Sequence, residues 1–248
     1  MKRVEFIYKD ISINYSYYDN ESEISLIFLH GWGQNIDMMM SLAKPFIKRH
    51  KVLLIDLPGF GLSEEPKTIW SLDDYAEMVH ELVKKLKLKN TILIGHSFGG
   101  KISICYSLKY DTRKLVLLAS PYKKAIKKDS LKTKLLKVLK KVPLLNKLEE
   151  YFKKHIGSTD YRNASVMMRK ILVKHVNTDL SDEVKNIKCP TLLIWGTLDE
   201  AVKYEDALEL EKLIPNAGLV TYEGCTHYAY LERLGQTVNV INSFLGGK

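Results

Sequence analysis

From Ile24 onward the chain alternates short, unbroken Val/Ile/Leu runs with longer stretches of helical spacing, and this rhythm restricts the fold more than any other feature. A strand that is apolar at every position is covered on both faces, as in a parallel sheet packed between helices. The runs predict strands over Ile24–Leu29, Lys51–Asp56, Thr91–Gly95, Lys114–Ala119, Thr191–Trp195 and Gly218–Tyr222. Two earlier segments, Val4–Tyr8 and Ile11–Tyr17, alternate more and suit an antiparallel edge hairpin. Helical spacing predicts helices over Asp37–Lys48, Leu72–Leu86, Ser97–Lys109, Glu205–Leu213 and Tyr230–Phe244. Ser71 followed by Asp74 reads as a capping pair opening the second of these. The expected class is α/β, with a mostly parallel sheet and helices on both faces.

One stretch breaks the rhythm. From Ser120 to about Lys185 no strand pattern occurs, and Leu131, Leu135, Val138, Leu139 and Val142 recur at helical spacing with lysines between them. Residues 120–185 are therefore read as a helical insertion into one core built from 1–119 and 186–248. The insertion also holds the charge. Between Pro121 and Lys154, twelve lysines face only Asp129, Glu149 and Glu150, which accounts for the whole formal +9 of the chain. A solvated lysine-rich face is the plain explanation. An acidic carrier protein or an anionic membrane surface docking there is the sharper one, and either would make activity salt-dependent. Nucleic acid is not expected, because only six of the 38 basic residues are arginine and no basic-aromatic interleaving occurs. Apolar runs such as Leu115 to Ala119 fall far short of the roughly 20 residues that span a bilayer, and the N-terminus lacks the apolar stretch of a signal peptide. Cys105, Cys189 and Cys225 are widely spaced and suit reduced, buried thiols in a cytoplasmic protein.

The chemistry is concentrated in loops after the expected strands. Gly95-His96-Ser97-Phe98-Gly99-Gly100 lies between a strand and an apolar helix, where a G-x-S-x-G nucleophile elbow is found. Such a turn exposes the serine hydroxyl above a helix N-terminus, whose free amides and dipole suit a developing oxyanion. His30-Gly31-Trp32-Gly33 follows another strand and can curl an amide toward the same place. The backbone N–H groups of Trp32 and Phe98 are the candidate oxyanion donors. The alternative is that HGWG is only a tight βα turn with Trp32 filling the core. A serine needs a histidine base and a carboxylate to orient it. Asp199, in Trp195-Gly196-Thr197-Leu198-Asp199, and His227, in Gly224-Cys225-Thr226-His227, each follow a strand and complete the order Ser97, Asp199, His227. Taken singly, either could be an ordinary polar residue or helix cap. The histidines lack H-x-x-x-H and H-E-x-x-H spacing, so no metal and no cofactor are expected. His96 is read as structural.

HGWG, then Asp56-Leu57-Pro58-Gly59-Phe60-Gly61-Leu62-Ser63, GHSFGG, WGTLD and GCTHY together resemble the motif series of the α/β-hydrolase superfamily over nearly the whole chain. That resemblance implies an eight-stranded sheet, a variable helical lid at 120–185, and covalent catalysis by Ser97, His227 and Asp199. It implies the Trp32 and Phe98 amides as oxyanion donors and a structural place for Asp56. Serine at the elbow disfavours the haloalkane dehalogenase and epoxide hydrolase branches, which carry aspartate there. HGWG resembles small carboxylesterases, among them the pimeloyl carrier-protein methyl ester esterases. Similar motifs occur in C–C bond hydrolases, lactonases and cofactor-free perhydrolases.

The expected substrate is an ester with a small-to-medium acyl group. Trp32, Phe98 and Tyr122 would wall its site, with Met167 and Met168 offering a pliable apolar surface. The two methionines could equally pack the lid onto the core. A C–C bond hydrolase, or a receptor that turns over little, would use the same three side chains.

Overall fold

The computed structural model describes residues 4–124 and 159–246. Eight strands form one sheet: β1 (Val4–Tyr8), β2 (Ile11–Tyr18), β3 (Ser25–Leu29), β4 (Lys51–Ile55), β5 (Thr91–His96), β6 (Lys114–Leu118), β7 (Thr191–Gly196) and β8 (Ala217–Tyr222). Their spatial order is β1-β2-β4-β3-β5-β6-β7-β8. β2 pairs antiparallel with β1 and with β4, and every pairing from β4 across to β8 is parallel. The expected edge hairpin and all the expected strands are present, their ends displaced by no more than one residue.

Pleating explains the unbroken apolar runs. Ile27, Leu53, Leu93, Leu117 and Leu193 point into one core, while their neighbours Leu26, Leu54, Ile94, Val116 and Ile194 point into another. Helices α2 (Leu72–Lys85), α3 (Phe98–Lys109) and, later in the chain, α6 (Tyr204–Leu213) cover the first core. Helices α1 (Ile36–Ala43), α7 (Ala229–Glu232) and α8 (Leu234–Leu245) cover the second. Between β6 and β7 the described residues contain α4 (Thr159–Asn163), α5 (Val166–Val176) and a 3₁₀ turn, Glu183–Asn186, with no strand. Met168 and Ile171 of α5 pack onto the first core. The Leu131–Val142 pattern lies outside the described residues.

Two helix expectations are corrected. The first helix begins before Asp37, because the Asn35 side chain accepts from the Asp37 and Met38 amides, at 3.1 and 3.4 Å. It also stops short of Lys48: Pro45 has no N–H to continue the ladder, and Lys44–Phe46 tightens into a 3₁₀ turn. The stretch expected as one helix over Tyr230–Phe244 is two, broken at Arg233 (φ −119°, ψ 43°). Glu232, at the end of α7, accepts from the Thr226 amide and hydroxyl, which ties this short helix to the preceding loop. The Ser71–Asp74 capping box is present in both directions. Cys105, Cys189 and Cys225 are free and buried. No helix among the described residues is long and apolar enough to cross a membrane.

Candidate active site

Ser97 sits between β5 and α3 with φ 49° and ψ −111°, a conformation few L-residues adopt. The flanking glycines are steric requirements: a Cβ on Gly99 would lie 2.3 Å from the Leu29 carbonyl oxygen, and one on Gly95 would lie 2.6 Å from Gly100 Cα. The turn is pinned by the Ser97 amide donating to Leu118 O at 2.9 Å and the Gly99 amide donating to His30 O at 3.1 Å. Two turn amides remain unused. Those of Trp32 and Phe98 donate to nothing among the described residues, whereas that of Gly31 is taken by Gln34 Oε1.

Asp199 and His227 come from the carboxyl ends of the adjacent strands β7 and β8. The protonated Nδ1 of His227 donates to Asp199 Oδ2 at 2.8 Å. Asp199 Oδ1 in turn accepts from the Ala201 and Val202 amides at 2.8 and 2.9 Å, which fixes the carboxylate. The side chain of Asp199 is fully buried and that of His227 is 16% exposed. The Ser97 hydroxyl and His227 Nε2 make no hydrogen bond among the described residues, so the serine–histidine arm is open; such contacts often tighten only with substrate bound.

The apolar wall beside Ser97 is aromatic. Trp32 meets Phe60 and Phe98 edge-on at 4.8 and 5.3 Å between centroids, and Phe98 meets Tyr75 at 5.2 Å. Met168 is buried with its thioether against Gly59, where a Cβ would lie 2.4 Å from the sulfur. Met167 is half-buried against the same core, and Tyr122 is fully buried within it. Of the lysines between Pro121 and Lys154, only Lys123 and Lys124 lie among the described residues. Lys123 pairs with Asp206 and Glu209 at 2.8 and 2.7 Å.

Three residues here, Lys101, His175 and Asp160, had no sequence signal that singled them out, whereas His96 takes the structural place the sequence reading gives it. His96 is fully buried, its Nε2–H donating to the His227 carbonyl at 3.1 Å and its Nδ1 3.3 Å from Gln34 Oε1. It thus spaces the Trp32 loop from the His227 loop, a structural role. Lys101, buried near the start of α3, donates to the His175 and Thr178 carbonyls at 3.0 and 2.7 Å and caps the C-terminal end of α5. Burial pushes its ammonium down to about 8. His175 lies against Phe98 at 4.3 Å and Trp32 at 5.6 Å, with Nδ1 buried and without a hydrogen-bond partner among the described residues. Its spacing from Met168 and Ile171 marks the buried face of α5, which was legible only as packing. Asp160 of α4 is the third.

His30, His96 and His175 are all buried, and burial holds them neutral: pushed down to about 4, about 3 and about 3, respectively. His30 accepts from the Leu57 amide at Nε2 (2.9 Å) and donates from Nδ1 to Gly31 O (2.7 Å), so protonation would break this arrangement. The unfolded chain takes up these protons near pH 6.5. The stability these groups contribute is therefore complete above about pH 6.5 and falls as pH drops toward 4 and then 3. Thermal melts between pH 8 and pH 4 should show a melting temperature that declines steadily below about pH 6.5. A flat profile down to pH 4.5 would contradict the buried neutral histidines.

Residues 24–147 match the profile described as alpha/beta hydrolase fold, and residues 160–246 match one described as TAP-like protein. The chain belongs to the α/β-hydrolase family. It is 26% identical to Lipase 3 of Moraxella sp. (strain TA144), over 94% of this chain and 81% of that one. It is 27% identical to the monoacylglycerol lipase ABHD6 of Homo sapiens, over 89% of this chain and 75% of that one. The crystal structure of a hydrolase from Pseudomonas aeruginosa PA01 superposes with a TM-score of 0.79 at 19% identity, over 99% of this chain and 98% of that one.

Proposed function

We propose that this α/β hydrolase is a serine carboxylesterase in which Ser97 attacks, His227 accepts and returns the proton, and Asp199 orients the imidazole. The observation that carries the reading is the 2.8 Å His227–Asp199 hydrogen bond, its acceptor fixed by two amides, at the sheet edge where Ser97 is held in a strained turn. Ser97 Oγ adds to the ester carbonyl, and the unused Trp32 and Phe98 amides receive the oxyanion. His227 then protonates the departing alcohol, and water repeats the attack on the acyl-enzyme. Nothing in this cycle calls for a metal or cofactor. Trp32 and Phe98 flank the acyl group, with Met167, Met168 and Tyr122 of the 120–185 cap behind them. The lipases among the relatives support ester substrates, and the close aromatic wall favours small-to-medium acyl chains.

The test is steady-state hydrolysis of p-nitrophenyl esters from C2 to C12, with Asp199→Asn beside the wild type. Turnover peaking at one chain length, and falling about 10⁴-fold in the variant, is the expected result. A single-equivalent burst without turnover would instead identify a receptor, and no reaction at all would end the esterase reading.

A further inference from the structure

Lys101 is bonded both to the nucleophile turn and to the helical insertion. Its backbone amide donates to the Ser97 carbonyl at 3.0 Å, the first helical bond after the elbow. Its ammonium donates to the His175 and Thr178 carbonyls at 3.0 and 2.7 Å, 74 and 77 residues further along the chain. The residue is 2% exposed and makes no ion pair among the described residues. Taking an ammonium out of water is costly, and a methionine of similar length would occupy the space without that cost. What the charge offers instead is direction: it attracts the carbonyl end of α5, where the helix dipole is negative.

The bond to His175 matters because of where that ring lies. It packs on Phe98 at 4.3 Å and on Trp32 at 5.6 Å, the two residues proposed to flank the acyl group. The ring makes no hydrogen bond of its own among the described residues, so its place on the wall is set by the backbone behind it. The rest of α5 is held elsewhere. The Ser165 hydroxyl donates to Glu65 at 2.7 Å, the Lys174 ammonium to the Ile69 carbonyl at 3.3 Å, and Met168 and Ile171 pack into the core. The end at 175–178 is the part that Lys101 secures. We propose that Lys101 is a positioning residue for acyl-group selection: it fixes the end of α5 to the helix behind the elbow, holds His175 against Phe98 and Trp32, and so limits the acyl chain length the site accepts. This rests on the esterase reading and deepens it. Without the ammonium the two carbonyls lose a shared donor, the end of α5 moves away more easily, and the wall opens to longer chains. One methylene admitted or refused by an apolar pocket changes kcat/KM by roughly 10–200-fold, so a small opening is measurable.

The experiment compares p-nitrophenyl butyrate with p-nitrophenyl decanoate in the wild type, Lys101→Met, His175→Ala and the double variant. The readout is the butyrate-to-decanoate ratio of kcat/KM within each protein, which a general loss of folded enzyme leaves unmoved. Either single variant should shrink the ratio about tenfold, with the change falling on KM for the decanoate. The double variant should shrink it no further, because both substitutions remove the same contact, whereas independent effects would multiply to about 100-fold. An unchanged ratio in Lys101→Met, or multiplied losses in the double variant, would overturn the proposal while leaving the esterase intact. Should Lys101→Met fail to fold, His175→Ala still decides, since an unchanged ratio there removes the wall that Lys101 is proposed to position. No turnover by the wild type across the p-nitrophenyl series would end the esterase reading, and this proposal with it.

Discussion

Replacing Ser97 by glycine is expected to abolish turnover and also to give a protein that melts at a higher temperature than Ser97→Ala. Both variants remove the proposed nucleophile, and loss of a catalytic serine in such a triad lowers kcat by about 10⁶. They differ in the backbone. At φ 49° and ψ −111° any Cβ is crowded, and non-glycine residues held in such regions carry about 1–3 kcal/mol of strain. Alanine keeps that strain and glycine releases it, although glycine also loses more freedom on folding, by up to about 1 kcal/mol. The net gain should be about 1 kcal/mol, or a few degrees in Tm for a chain of this size. Thermal melts of the two variants, alongside ester hydrolysis, make the comparison. Equal melting temperatures would mean that the turn is not held in its strained form by Ser97, and residual turnover in either variant would remove Ser97 as the nucleophile.

The largest loss of stability is expected at Asp56. Its buried carboxylate accepts from the Ile36 amide at 2.7 Å, the Leu62 amide at 2.9 Å and Asn14 Nδ2 at 2.7 Å, and it makes no ion pair among the described residues. It therefore joins three elements: the start of α1, strand β2 and the loop after β4. That loop wraps so closely that a Cβ on Gly61, itself at φ 58°, would lie 2.2 Å from the Asp56 carboxyl carbon. Asp56→Ala strands three donors at once. At about 1–3 kcal/mol per unsatisfied buried group, and with water able to reach part of the space, the expected loss is about 4 kcal/mol. Tm should fall by roughly 10 °C or more. Because Asp56 makes no hydrogen bond to Ser97 or His227 among the described residues, the fraction still folded at low temperature should keep its hydrolytic activity. Inactivity of a demonstrably folded Asp56→Ala protein would place this residue in the chemistry after all.

What the sequence disclosed, and what it hid, follows from how far each residue's partners lie along the chain. The parallel strands were legible because burial on two faces leaves an uninterrupted apolar signature at Leu26–Leu29 or Leu115–Leu118. The elbow was legible because Gly95 and Gly99 answer a local steric demand that no other residue meets. Asp199 and His227 could be selected by their order and by their place after strands, but only the folded chain brings Nδ1 to Oδ2. His96 and Lys101 hold polar roles that depend on partners far away in sequence: His227 lies 131 positions from His96, and Thr178 lies 77 from Lys101. A lysine after two glycines reads as a surface charge until its acceptors are known. The same logic separates the two caps. Ser71 announces itself through Asp74 three residues on, whereas Asn35 has no partner carboxylate to mark it, and the start of α1 was misplaced.

The two-sided sheet has a practical consequence for anyone altering this protein. Residues that alternate along a strand belong to separate interiors, and the aromatic wall beside Ser97 belongs to only one of them. Substitutions at distant positions without shared contacts tend to add independently. The interior around Leu42, Phe46 and Ile241 can thus be remodelled for robustness while the selectivity of the opposite side evolves on its own, whereas Tyr230, packed on His96 at 4.8 Å, belongs with the site. Architecture of this kind gives laboratory evolution two nearly orthogonal axes, one for endurance and one for substrate choice.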